Sequence, residues 1–449
     1  MTTFDGGDTI SRKKTLLVLI GAVAVLFAAS VAYSMLSDND PTRHHTGLGE
    51  AIDISPDDEQ LAFSYFDQGR ESLHVGNLED GSTTQLTSPE AENHSHPTFT
   101  PDGEGLFYIA TVEDRIQTLR YLPERGADPV ELTDSDMHVF EAVMSPDGET
   151  FYYIGMPAED LLAREGEKEN FRDLYRVGAD GTKHEQLTDK DALDMNSLNI
   201  SEDGSTLHFI DGMRGAALRT YDIETGEEKP FEGDPLPGEV FNVKLSPDGN
   251  LAAYTTMVNE EEGGTYIYEL FLMDMGSGDT QQVTDYGASV TSPAFFYDED
   301  RIAFLAQPNW PGAPASYELM TVDHDGEEMG PLAMDLPESE GGFQLGAVLD
   351  RMVNTATLTI LYLLLFGLSI AYGNFYDKAY MPVIISAVLA LIAFISSFIA
   401  TSSDPWAGVF LFVLSIWLLG CSVALLIFAF IYKRMVSDYN YDEKHRGSP

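Results

Sequence analysis

The chain has one cysteine in 449 residues, so no disulfide can form within it. That residue, Cys421, stands in an apolar run, where a lone thiol reads as a small core side chain. No cysteine closes the first hydrophobic segment, which excludes a lipoprotein anchor. Positive charge is also scarce. Lys and Arg total 25 against 73 Asp and Glu, a formal net charge of -48, and Lys is the rarer base, with ten against fifteen Arg. A surface of this sign repels phosphates and argues against nucleic acid as a partner. The sequence also lacks Gly-x-Ser-x-Gly, His-Glu-x-x-His, a paired-cysteine zinc site, a phosphate-binding loop and a dinucleotide fingerprint. No catalytic residue, metal or cofactor is therefore assigned, and the chain is not read as an enzyme.

What is present is divided sharply. Residues 36–350 hold 66 acids and 16 bases, a net of -50, so the excess belongs to one region. Carboxylates at that density hydrate a surface in concentrated salt, so the expected source is a halophilic prokaryote, an archaeon. Four other runs carry no Asp, Glu, Lys, Arg or His: 15–35, 355–373, 381–401 and 407–432. Each has the ~20 apolar residues that a membrane-crossing helix needs. Arg12, Lys13 and Lys14 precede the first run and Lys433 and Arg434 follow the last. Positive flanks stay inside, so both termini (1–14 and 433–449) are expected in the cytoplasm and 36–350 outside. The first run could also be a cleaved signal peptide; its length favours an uncleaved anchor. Ala24, Ala28 and Ala32 on the first helix, and Ser386, Ala390, Ala393 and Ser397 on the third, have the spacing of close helix packing.

The outer region repeats. A turn signature reads Ser55-Pro56-Asp57-Asp58, Thr100-Pro101-Asp102-Gly103, Ser145-Pro146-Asp147-Gly148, Ser201-Glu202-Asp203-Gly204 and Ser246-Pro247-Asp248-Gly249, with a degenerate sixth copy at Tyr297-Asp298-Glu299-Asp300. Spacings are 45, 45, 56 and 45 residues between the complete copies. After each copy comes a second signature, a strand, a Gly-containing turn and a strand, as in LHVGNLEDGSTTQLT (73–87) and LFLMDMGSGDTQQVT (270–284). Two hairpins per repeat make four strands, and four-stranded units of this length are propeller blades. Six copies predict an all-β, six-bladed propeller over 49–333. Short linkers at 36–48 and 334–354 would join it to one N-terminal and three C-terminal transmembrane helices.

The stretch from Gly49 to Ala333 resembles the TolB-like propeller repeat, a WD-type family, in its Ser-Pro-Asp-Gly element and its closing Gln/Glu-Leu/Val-Thr. The sixth repeat departs from the first pattern, and the fourth and sixth lack the closing Leu-Thr. The resemblance implies a protein-binding platform, although related repeats also form the gating propeller of prolyl-oligopeptidase-type enzymes. It does not extend to the membrane segments.

Propeller geometry puts the Ser-Pro-Asp-Gly turns and the Asp-Gly turns on one side and the longer, irregular loops on the other. Irregular loops on a rigid scaffold are where binding sits. The candidate partner-binding residues are Glu159, Leu161 and Leu162 (with Ala163 in a helix-like insertion), Asn259, and Trp310 between two prolines. Both linkers are expected to leave from this loop side, turning it toward the membrane. Asn93 and Asn199 head N-glycosylation sequons. His94 and His96, with His138 one repeat on, could converge as metal ligands, but ordinary loop histidines are the simpler reading. Asp323-His324-Asp325-Gly326 lacks the remaining ligands of a calcium loop and reads as a turn. The expected function is a cell-surface, non-enzymatic binding or scaffold module with a protein partner at the surface or in the membrane. Alternatives are an accessory subunit whose helical bundle does the work, and an unrecognised propeller hydrolase.

Overall fold

The computed structural model describes residues 6–446 apart from 38–39, 113–114, 164–170, 213–216, 232–235, 237–238, 261–264 and 338–344. The chain divides into two units, Asp40–Gly342, and Met1–Asn39 with Phe343–Pro449. Among the described residues the helices are α1 (Gly6–Leu36), α2 (Ala158–Leu162), α3 (Leu345–Met352), α4 (Thr355–Asn374), α5 (Met381–Thr401) and α6 (Pro405–Arg446).

In the helical unit, four helices are long and apolar enough to cross a membrane, one near the N-terminus and three toward the C-terminus. The small residues expected to pack on α5 do so: Ser386, Ala390, Ala393 and Ser397 are all buried. At the centre Tyr362 and Ser386 share a hydrogen bond of 2.8 Å, and Ser386 and Ser422 one of 2.7 Å. Hydroxyls that pair with each other across helices remove the cost of placing them among apolar side chains. Cys421 is buried beside them. The alanine stripe of α1 behaves otherwise, because Ala28 and Ala32 are exposed. α1 meets α4 instead through Phe27 against Tyr362, ring centroids 5.9 Å apart. The stretch 334–354, expected to be a linker, also contains α3.

The unit Asp40–Gly342 is a many-stranded, propeller-like β domain. Its strands form four sheets of four strands and one of eight, each repeat being an antiparallel meander in chain order. The eight-stranded sheet is the last two meanders, joined by a single parallel pairing of Tyr268 with Ser289. Apolar clusters lie between successive meanders. One of them packs Ile54, Leu61 and Phe63 of the first repeat on Phe296, Ala303 and Leu305 of the last.

Hydrogen bonds explain both repeat signatures. In the first repeat the Ser55 hydroxyl donates to Asp57 at 2.5 Å and accepts the Gln60 N–H at 2.9 Å, while Asp57 accepts the Glu59 N–H at 3.1 Å. The Thr100, Ser145, Ser201 and Ser246 turns repeat the hydroxyl-to-aspartate bond at 2.5–2.7 Å. The fourth turn position is left-handed, with φ +72° at Gly103 and +56° at Asp58. In the second signature the opening Leu N–H donates to the hydroxyl of the closing Thr: Leu73 to Thr87, Leu119 to Thr133, Leu174 to Thr188 and Leu270 to Thr284, at 2.9–3.0 Å.

The degenerate sixth turn has a partner of its own. The Tyr297 and Asp298 N–H groups donate to the two carboxylate oxygens of Asp58, each at 2.7 Å, which staples the last repeat to the first.

The two sides of the domain separate as the strand count requires. Leu78 in a strand three-to-four turn donates to Glu59 O in a strand one-to-two turn. On the opposite side Gly69 donates to His45 O, and Ala158 to Asp136 O. The segment before the first strand therefore lies on the loop side, as expected. The segment after the last strand does not: Asp335 N donates to Gly81 O, and Thr83 donates to Asp335 O at 2.6 Å, both on the first repeat's turn side. Docking on that outer turn outweighs the direction of the last strand. The start of the second linker therefore docks on the turn side, where both linkers were expected on the loop side.

Candidate functional site

The innermost strand of each of the six repeats breaks register at one point. The breaks fall between Leu48 and Ile52, Ser95 and Thr98, Asn196 and Asn199, Phe241 and Lys244, and Thr291 and Ala294; in the third repeat Ile154 pairs with Glu141 and Gly155 with Val139, so Phe140 is the extra residue. Four of the bulges turn on a non-glycine residue with positive φ: His96 (+50°), Ser197 (+57°), Asn242 (+53°) and Ser292 (+51°). Each costs on the order of 1 kcal/mol of backbone strain. The bulges line one central cavity of about 320 Å³, whose walls include Glu50, Asp53, His96, Glu141, Asn242 and Lys244.

The strain is offset by bonds between neighbouring inner strands. Glu141 accepts the Ser197 N–H at 3.0 Å and the Leu198 N–H at 2.8 Å. Asp53 accepts the Phe99 N–H at 2.9 Å. Asn199 donates to Val243 O at 3.2 Å and accepts the Leu245 N–H at 3.0 Å. The Asp53 carboxyl is pushed above its usual range by burial, against the pull of Lys244, whose ammonium lies 3.9 Å away, and of the Phe99 N–H. The His96 ring opens to the cavity but lies deep in it. Burial lowers its pKa, while Glu50 and Glu141 pull the other way. Behind Glu50, Glu71 is buried with its carboxylate on the Ser64 hydroxyl at 2.7 Å. Burial raises Glu71 to about 8, the Ser64 bond opposing and Glu50 adding to the rise.

The three histidines have separate surroundings. His94 is buried with Nε2 on Glu92 at 2.8 Å, and His138 is buried and accepts the Gln117 N–H at 3.1 Å. Burial lowers His138 to about 4, with Arg172 adding to the fall. Among the described residues no group of three His, Cys, Asp or Glu could hold a metal ion. Asp323–Gly326 forms the hairpin turn of the sixth repeat, with φ +77° at Gly326.

The loop-side candidates fall in separate places. α2 carries Glu159 exposed, Leu161 half-buried and Leu162 56% exposed; the helix stops at Leu162, since Ala163 is already extended with ψ 151°. Leu162 lines its own cavity with Ile116 and Arg120. Asn259 lies in the strand Leu251–Glu260, its side chain outside the described residues. Trp310 joins an aromatic row that sequence reasoning missed. Its ring meets Tyr268 edge-on at 5.8 Å, Tyr268 meets Phe241 at 5.8 Å, and Trp310 Nε1 donates to Tyr266 O at 2.9 Å. Phe241, Met257, Val258, Tyr266 and Trp310 all keep large exposed apolar surface. The hairpin that carries three of them, Leu251–Glu260 with Tyr266–Asp274, outruns the six-residue strand Val240–Leu245. Of the sequons, Asn93 is half-buried and accepts the Glu71 N–H at 3.1 Å. Asn199 is 6% exposed with its amide committed as above, so the folded domain closes that site.

Residues 48–251 match the family described as SMP-30/Gluconolactonase/LRE-like region. No curated protein matches the chain. Among solved structures, TolB from Acinetobacter baumannii is similar at 16% identity and a TM-score of 0.47, over 61% of this chain and 63% of that one. An oligogalacturonate lyase from Vibrio parahaemolyticus has 14% identity and a TM-score of 0.43, over 62% and 90%. A Mycobacterium tuberculosis puromycin-hydrolyzing peptidase has 15% and 0.45, over 67% and 55%. This chain thus spans less than two thirds of the Acinetobacter TolB. The matched description takes in a gluconolactonase, and a lyase and a peptidase stand among the similar structures, but no catalytic motif accompanies either likeness. TolB structures are thus among the folds this chain is similar to, and nothing in the repeat is specific to a WD-type family.

Proposed function

We propose that the chain is a membrane-anchored binding module whose outer unit is a closed six-bladed propeller and whose ligand is a protein. The closed ring is supported by the six meanders and by the Asp58 staple between last and first. The orientation, outer unit outside and termini inside, rests on the Lys and Arg flanks. The acidic excess suits a cell surface bathed in concentrated salt.

The aromatic row Phe241–Tyr268–Trp310, half-buried at Tyr268 and exposed at both ends, carries the binding reading. Aromatic side chains on a rigid frame supply contact area at little entropic cost, and they concentrate at protein interfaces. The cavity carboxylates argue the same way. Both oxygens of Glu141 and one of Asp53 are engaged on backbone N–H groups, which suits holding the ring together better than moving protons. A photo-crosslinker at Tyr266, on the loop side, is expected to capture a discrete protein in intact cells, and one at Asp248, on the turn side, is not. Capture from Asp248 alone would overturn the placement.

A further inference from the structure

The short helix α3 ends three residues before the apolar helix α4 begins. Asn354 caps α4 by accepting the Thr357 N–H at 2.9 Å and donates to Arg351 O at 3.1 Å, which couples the two helices through a tight corner. α3 has two unlike faces. Asp350 accepts the Tyr33 hydroxyl at 2.6 Å, and Gly346 O lies 3.4 Å from the same hydroxyl. Tyr33 stands near the end of the apolar stretch of α1, Ser11–Leu36. The other face presents Leu345, Val348 and Met352, at helical spacing, and they are 60%, 38% and 60% exposed. No residue of α3 is buried.

Resting on the reading of α1 and α4 as membrane spans, we infer that α3 lies in the bilayer interface, with Leu345, Val348 and Met352 inserted at the headgroup–acyl boundary. Two observations name lipid as the occupant. The apolar face continues directly into a span, and its polar side is held by a tyrosine at the end of another span. Both put α3 at the level where lipid headgroups begin. A short amphipathic helix in that position buries its apolar face about 5–10 Å into the boundary. Exposed Arg351 is then placed to meet lipid phosphate, and Tyr33 takes the interfacial position that tyrosines favour. In this role α3 fixes the depth and rotation of α4.

The lone cysteine makes the test direct. In a Cys421→Ser background, spin labels are placed singly at Val348→Cys, at Met352→Cys and, within α5, at Ile392→Cys. The full chain is reconstituted in vesicles of phosphatidylcholine and phosphatidylglycerol. Labels at 348 and 352 are expected to collide more with oxygen than with a water-soluble nickel chelate, as the label at 392 does. Nickel-dominated collisions at both 348 and 352, with oxygen-dominated collisions at 392, would overturn the inference and leave the spans standing. Nickel-dominated collisions at 392 as well would overturn both. Using two α3 positions keeps the test valid if one label disturbs folding.

Discussion

Glu141 and Ser197 belong to neighbouring repeats, and the carboxylate of one accepts the N–H of the other at 3.0 Å at the point where the inner strand turns left-handed. The second oxygen takes the Leu198 N–H at 2.8 Å, so one side chain satisfies two donors that the bulge removes from the sheet ladder. Glu141→Ala is therefore expected to cost about 1–3 kcal/mol, the range for leaving such a group unpaired. Glu141→Gln, which keeps one acceptor, should cost less. Denaturant unfolding of residues 40–342 in molar KCl measures both. Equal stability of Glu141→Ala and the parent would show that the bonds do not hold the ring.

Asp58 gives a prediction that runs against the repeat pattern. Glycine stands at the matching position in the next four turns, and Asp58 bears a φ of +56° that glycine would relieve by roughly 1 kcal/mol. Yet its carboxylate accepts the Tyr297 and Asp298 N–H groups. Charge-assisted bonds contribute about 1.5–3 kcal/mol each when well shielded, and less at an exposed turn. Asp58→Gly should thus destabilise the outer domain, seen as a lower unfolding midpoint. A rise would mean that the staple contributes nothing.

Much of this was legible because each residue of a signature has a fixed bonding role. Ser55, Asp57 and their counterparts hold one turn, and the Leu73-to-Thr87 bond fixes the spacing of the second motif. The bulges were not legible. His96, Ser197, Asn242 and Ser292 adopt left-handed backbone without glycine, and beside the last three stand bonds to other repeats that local sequence does not encode. The aromatic row was hidden for a similar reason: Phe241, Tyr268 and Trp310 come from three strands or loops spread over two repeats. α3 was missed because eight residues with a glycine and two charges look like a linker.

Glu71 predicts a pH dependence. Its carboxyl titrates near 8 in the folded domain against 4.5 as its ordinary value. Between those values the folded state holds a proton that the unfolded state has released. Stability from this group is fully present below pH 4.5 and is lost as pH rises through 8. Glu71→Gln keeps an acceptor for Ser64 and removes the titration. The parent should lose stability relative to the variant from pH 5 to pH 8, read from unfolding midpoints at both. A constant difference across that range would contradict the assignment.

Salt tests the acidic surface. Residues 36–350 carry a net of -50, and the Debye length grows from about 3 Å at 1 M to about 10 Å at 0.1 M. Unscreened carboxylates then repel, so the outer domain should melt at progressively lower temperature as KCl falls from molar to millimolar. An unchanged melting temperature would remove the argument for life in concentrated salt.

The central claim is an outer propeller held by spans whose ends lie inside. It is tested most directly by adding protease to sealed, right-side-out vesicles in high salt. The account predicts digestion of residues 40–342 and protection of an epitope placed after Arg434. Protection of the outer unit with digestion of the tail would contradict it.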